Sequence, residues 1–271
     1  MSVTTYNTAG TFTWVCPAGV TAVTVESWGG GGGGGAAGVD HGSAIYGQPV
    51  SGGGGGGGGG ARTKYSVTTV PGRSYTVTIG AGGAGSADPF MGDSDNDVYE
   101  GGNDFAEYGG DTLFVDSTNG QIMAAAEGGG GAETFFGLGG GGGFADYSYD
   151  HGVTVYGTLV DSADGEQGVT AYNYLGGDGG SAGGPGGGTG GSGDPSGGFD
   201  DWGGDSGGSP GAGGGGATGV MPGDEQYYGP ASEGYSTLSG SGGNGAPGKM
   251  IITTVASPPP GTSRSNFLMF M

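Results

Sequence analysis

The chain is predicted to be mainly β, a small sandwich-like scaffold combined with packed polyglycine II helices and few or no α-helices. Three observations carry this expectation. Glycine supplies 79 of 271 residues, with an average residue too light to fill an ordinary core. It comes in uninterrupted blocks, 29–35, 52–60, 128–131, 139–143 and 213–216. Between the blocks stand short runs rich in Val, Ile, Thr and Tyr whose apolar residues alternate, which is the period of a half-buried strand.

Collagen, the first alternative for so much glycine, requires glycine at every third position and abundant proline. Unbroken blocks exclude that period. A flexible linker is the second, because glycine loses more backbone entropy on ordering than any other residue. Linkers rarely alternate with strand-like segments. In the polyglycine II reading each block is a threefold left-handed helix rising about 3.1 Å per residue, so nine residues run about 28 Å. Its N–H and C=O groups all point outward, and burial then demands that neighbouring helices accept and donate every bond. Only glycine lets backbones approach that closely.

The strand-like runs follow in order. Residues 11–15 and 20–28, joined by Pro17-Ala18-Gly19, read as a hairpin with Val23, Val25 and Ser27 on one face. A second pair, 64–70 and 75–79, meets at Pro71-Gly72, which suits a type II turn. A third pair, 111–116 and 121–126, is joined by Ser117-Thr118-Asn119-Gly120. Residues 153–156 form one more short candidate, and 249–255 a late strand that closes a sheet. The strand-rich part is thus 1–130 with 249–255, and 176–219 is low-complexity glycine, read either as disordered or as further extended helices. Residues 1–255 form one module, followed by a proline spacer and apolar tail, 256–271.

Against 26 Asp and Glu stand 5 Lys and Arg, a formal net charge of −21. That sign repels phosphate backbones and anionic lipid, so nucleic acid is not an expected partner. No apolar run approaches 18 residues, and the start, MSVTTYNTAG, lacks a basic segment followed by an apolar stretch. Neither membrane insertion nor a conventional signal peptide is expected. Cys16 is the single cysteine, leaving no disulfide framework and no paired-cysteine metal site.

Enzymatic activity is not expected. His41 and His151, the two histidines, each sit beside an Asp and before a Gly, and neither opens a zinc-protease or nucleophile-elbow pattern. No glycine block ends in the Gly-Lys-Ser/Thr of a phosphate loop. No cofactor is expected, with Ca²⁺ the one candidate ion. Asp93, Asp95, Asp97 and Asp104 have calcium-loop spacing, but Val98 stands where that loop needs Gly and Asp104 where it prefers Glu, which leaves a solvated acidic loop as the alternative. Tyr147, Tyr149, Tyr172, Tyr174, Trp202, Tyr227 and Tyr228 lie between glycine stretches and are candidate receptor contacts, since rings stack on sugars or fill pockets at low entropy cost. Capping the glycine lattice is their alternative role. The terminal Phe267, Leu268, Met269, Phe270 and Met271 are candidate partner-docking residues, or else fold back on the chain's own sheet.

Several segments carry a family resemblance. Phe12-Thr13-Trp14, Pro17 through Val25, and Trp28 leading into glycine form the first; the strand 75–79 running into Gly80-Ala81-Gly82-Gly83-Ala84-Gly85 is the second. Gly109-Gly110-Asp111-Thr112 with Phe114, residues 124–131, and Gly245-Ala246-Pro247-Gly248-Lys249 complete the set. Together they resemble the glycine-rich domain of bacteriophage tail-fibre, adhesin and related virion proteins. The resemblance implies a non-enzymatic component on the exterior of a virion, a fibre or a capsid decoration. It also implies other virion proteins as partners and, for adhesins, a host surface glycan or protein. A homo-oligomer is expected, a trimer if the chain belongs to a fibre.

Overall fold

The structure, a computed structural model, describes residues 1–36, 38–45, 48–52, 55–86, 106–132, 138–171, 176–193, 204–217 and 241–254. In chain order its elements are β1 (Val3–Tyr6), β2 (Gly10–Val15), β3 (Ala22–Trp28), β4 (Gly38–Ile45), β5 (Gln48–Gly52), β6 (Arg62–Thr68), β7 (Ser74–Ile79), β8 (Thr112–Asp116), β9 (Ile122–Ala126), a single-turn helix α1 (Tyr147–His151), β10 (Thr158–Ala163) and β11 (Lys249–Thr254). The fold is mainly β, as its sequence predicts. One antiparallel sheet has the order β1-β11-β3-β6-β10, a second β2-β7-β8-β9, and β4 pairs with β5 apart from both.

Two of the three expected hairpins are not hairpins. β2 and β3 lie in different sheets, as do β6 and β7. Instead β2 pairs with β7 and β3 with β6, so 10–28 and 62–79 form one long antiparallel ribbon folded in half across both sheets. The crease is where the two tight turns meet: Cys16 N–H donates to Arg73 O at 2.9 Å, and Gly72 N–H to Cys16 O at 2.8 Å. Gly72 has φ of 78°, the left-handed geometry the Pro-Gly step supplies. The third pair, β8 with β9, is a hairpin as read. β11 lies between β1 and β3 rather than at an edge. Of 153–156 only Val155 pairs, in an isolated bridge to Ile122. β10 has no counterpart among the strands the sequence predicts, because its residues are almost all exposed and carry no buried alternation.

The sheets enclose Trp14, Val23, Val25, Tyr65, Val67, Tyr75, Val77, Ile79, Phe114, Met250 and Ile252. Tyr75 and Phe114 stack with centroids 4.9 Å apart and planes at 11°, and Trp14 meets Phe114 edge-on. Val23, Val25 and Ser27 are all buried, as their alternation requires. On three strands the inward side chains shrink toward the end where glycine runs begin. Along β3 they pass from Val25 to Ser27, along β6 from Tyr65 to Thr63, and along β8 from Phe114 to Thr112. There Ser27 and Thr63 share a hydrogen bond at 3.0 Å, and Thr63 reaches across to Ala125 O at 2.6 Å. Beyond that point β3, β6, β7, β8, β9 and β11 all join glycine runs, so the two sheets converge until backbone touches backbone.

The glycine runs form a bundle with a three-residue period. From 29–35, Gly29, Gly32 and Gly35 donate to Ala61, Gly58 and Gly55; Gly30 and Gly33 donate to Gly110 and Glu107; Gly31 and Gly34 donate to Ala246 and Gly243. The same run accepts from 129–132, 83–86 and 214–217. It therefore has a neighbour on six sides. Runs 55–61 and 211–217 are surrounded in the same way, and all three touch one another. Around this inner triangle the runs 80–86, 106–110, 127–132, 139–143, 165–169, 177–183, 188–193, 204–208 and 242–248 close a ring, each bonded to the next. Every residue of the inner runs is buried. Outer runs tolerate other residues at outward positions, as in Gly165-Glu166-Gln167-Gly168.

Acidic residues lock the ring. Glu107, Asp111, Glu127, Asp164, Glu166 and Asp178 accept the N–H groups of Ala84, Gly128, Phe144, Ala145, Ser181 and Gly193. An outer run has N–H groups that face no further run, and a carboxylate from the adjacent run takes them in charge-assisted bonds. Part of the acidity thus serves the fold as well as repulsion between copies.

At Asp116, burial alone would raise the carboxyl, but the Thr118 N–H and the Arg73 guanidinium, 2.6 Å away, outweigh it and hold the group below its ordinary value. A depressed folded-state value contributes stability above the unfolded value and loses it as pH falls through the folded one. Asp116→Asn is therefore expected to flatten the loss of stability below about pH 4, measured by denaturant titration at stepped pH. An unchanged acid slope would contradict this assignment.

Candidate functional site

Chain direction decides where the connections gather. Residues 29, 61, 80, 110, 127 and 248 adjoin strands, so 36, 55, 86, 106, 132 and 241 mark the opposite end. Hydrogen bonds place the ends at 169, 177, 193, 204 and 217 beside them, among them Ala217 N to Gly35 O, Gly242 N to Ser86 O and Gly216 N to Gly177 O. The connections 37–54, 87–105, 133–138, 170–176, 194–203 and 218–240 all leave and rejoin the bundle at this end. The β4–β5 hairpin belongs to the first of them. This end, away from the sandwich, is the candidate interaction face.

Five of the candidate aromatics, Tyr172, Tyr174, Trp202, Tyr227 and Tyr228, belong to these connections by sequence and lie outside the described residues. So do Asp93, Asp95, Asp97 and Asp104, and the tail residues Phe267, Leu268, Met269, Phe270 and Met271. Tyr147 and Tyr149 are separated from them, since α1 sits at the sandwich end. Tyr147 is 6% exposed and its hydroxyl donates to Asp111 Oδ2 at 3.0 Å, so it serves the interior and offers no ring face to a receptor. Burial first, then the Asp111 and Glu127 carboxylates, raise its phenol well above the ordinary value.

Around Tyr147 the structure assembles a cluster that sequence reading passed over. His151 stacks on the Tyr147 ring at 4.2 Å. Its Nε2 lies 3.8 Å from Glu127 Oε1, 3.8 Å from Asp150 Oδ2 and 3.9 Å from Asp111 Oδ2. Glu127, Asp150 and His151 each offer one ligand atom within 4.8 Å of the others. Burial raises the Glu127 carboxyl above its ordinary value and Asp150 pushes it the same way, against the Phe144 N–H and His151. The sequence shows only that His151 follows Asp150; Glu127 and Asp111 arrive from runs after β9 and before β8.

Among the described residues no helix is long and apolar enough to cross a membrane. The sequence model of a family described as a glycine-rich domain matches residues 5–255. No curated protein matches the chain.

Proposed function

We propose that this chain, which belongs to the glycine-rich domain family, is a non-enzymatic structural protein on the exterior of a bacteriophage particle, a fibre or decoration component. In this reading the runs are polyglycine II helices forming a stiff spacer, and the connections at its far end are displayed outward. The observation that carries it is the gathering of six connections at one end of a bundle whose inner backbone is fully buried and bonded on six sides. Such a lattice has no slack for hinge motion, so whatever it displays keeps its spacing. Residues 267–271 are assigned to docking on a partner virion protein. Exposed Leu159 and Val160 on edge strand β10 offer apolar surface to a sister copy in a homotrimer.

A second reading is favoured by the same geometry: a receptor-binding adhesin. The segments carrying Tyr172, Tyr174, Trp202, Tyr227 and Tyr228 all join the bundle at that face, where rings on a rigid base stack on a glycan or fill a protein pocket at small entropic cost.

Electron microscopy of the intact particle tests the first reading. Many ordered copies on the capsid, or repeated copies along a fibre, are expected; absence from purified particles would defeat it. Purified chain competing with particles for host cells tests the second, and no inhibition of adsorption at saturation would remove it. Deleting 265–271 is expected to abolish incorporation while leaving the melting temperature unchanged.

A further inference from the structure

We propose that Glu127, Asp150 and His151 bind a divalent transition-metal ion, with Zn²⁺ the best fit, and that the ion clamps α1 onto the junction of bundle and sandwich. The site is independent of the display reading and lies at the opposite end of the molecule.

Geometry is the first support. The three ligand atoms lie within 4.8 Å of one another, with Nε2 at 3.8 Å from each of two carboxylate oxygens. Zinc bonds of about 2.0–2.2 Å in a tetrahedral shell put ligand atoms roughly 3.3–3.6 Å apart. Closing the site takes a few tenths of an ångström between Nε2 and each carboxylate oxygen and at most about 1.5 Å between the two carboxylates, a movement open to the side chains of His151 and Asp150, which are 37% and 43% exposed.

The second support is how the ligands are held. Glu127 uses Oε2 to accept the Phe144 N–H at 2.9 Å, which leaves Oε1 aimed at His151. Asp111 takes the Gly128 N–H with Oδ1 and the Tyr147 hydroxyl with Oδ2, so it orients the tyrosine. Tyr147 in turn stacks on the imidazole and sets its plane. Metal sites depend on such outer partners to aim their ligands.

Charge is the third. Three carboxylates converge on one imidazole, while Arg62 and Arg73 are engaged elsewhere, with Glu26, Asp161 and Asp116. A divalent cation offsets that excess. Imidazole with carboxylates suits zinc rather than calcium or magnesium, which prefer all-oxygen shells. Water fills the fourth position on the exposed side.

Full-length chain stripped of metal is titrated with ZnCl₂ by calorimetry at neutral pH, with CaCl₂ in parallel. One zinc per chain is expected, with a melting temperature raised by several degrees. Glu127→Gln and Asp150→Asn each weaken binding at least about tenfold, and His151→Ala removes it; His41→Ala leaves it intact. Should His151→Ala misfold, the wild-type His151 ring resonances report directly, since zinc must shift them while His41 stays still. No zinc binding, binding that survives His151→Ala, loss with His41→Ala, or tighter calcium binding would each overturn the proposal.

Discussion

Gly32→Ala is expected to lower stability by more than about 4 kcal/mol and to leave little folded protein at room temperature. Gly32 lies in the innermost triangle, and a Cβ built on it overlaps the carbonyl oxygen of Gly130. The obstacle is backbone, which cannot rotate away as a side-chain tip can. To make room, run 127–132 must move, and it is bonded to 106–110, 139–143 and 55–61. Ordinary overpacking costs about 1–3 kcal/mol where neighbours relax; here the neighbours form a closed ring. Gly141→Ala is the matched control, because nothing lies within 4 Å of its added Cβ. That change is expected to be neutral or to stabilise by up to about 1 kcal/mol through the unfolded chain. Urea titration of both variants decides the matter. A Gly32→Ala protein within about 1 kcal/mol of the parent would show that the runs are not in backbone contact.

Phe114→Ala is expected to cost about 3–5 kcal/mol, the usual range for removing a fully buried aromatic ring. Phe114 has no exposure and meets both Tyr75 and Trp14. Its informative consequence lies elsewhere. Six strands continue directly into glycine runs, so the sandwich fixes the spacing at which those runs begin. Each backbone bond contributes only on the order of 1 kcal/mol net, and ordering each residue costs about 1–2 kcal/mol. The bundle therefore leans on the apolar core, and amide exchange within 29–35 is expected to accelerate with the same loss of stability seen by global unfolding. Exchange in those amides unchanged by Phe114→Ala would falsify the idea that the two parts fold as one unit.

Strand positions were legible because alternation is local: Val23, Val25 and Ser27 announce a buried face without knowledge of a partner. Pairing was not. Pro17-Ala18-Gly19 and Pro71-Gly72 look like hairpin turns, yet both serve as corners between sheets, because each strand finds its partner far along the chain, Thr13 opposite Thr76 and Val25 opposite Tyr65. The candidate site divided along the same line. Alternating Asp93, Asp95 and Asp97 drew attention as a contiguous pattern, whereas Glu127 and His151 meet only because β9 and α1 end side by side.

Composition and block structure determined that glycine backbone would substitute for a greasy core, since unbroken blocks permit no side chain between neighbours. The two longest blocks supplied the inner runs 29–36 and 55–61, whereas the third inner run, 211–217, carries Ala212, and the shorter unbroken blocks 128–131 and 139–143 lie in the outer ring with the interrupted stretches. What only the tertiary structure decided is which run lies beside which, and hence that the long connections share one end while the His151 cluster forms at the other. Every glycine run offers the same donors and acceptors, so the runs themselves cannot choose their neighbours. That choice falls to the strands, turns and carboxylates at their ends.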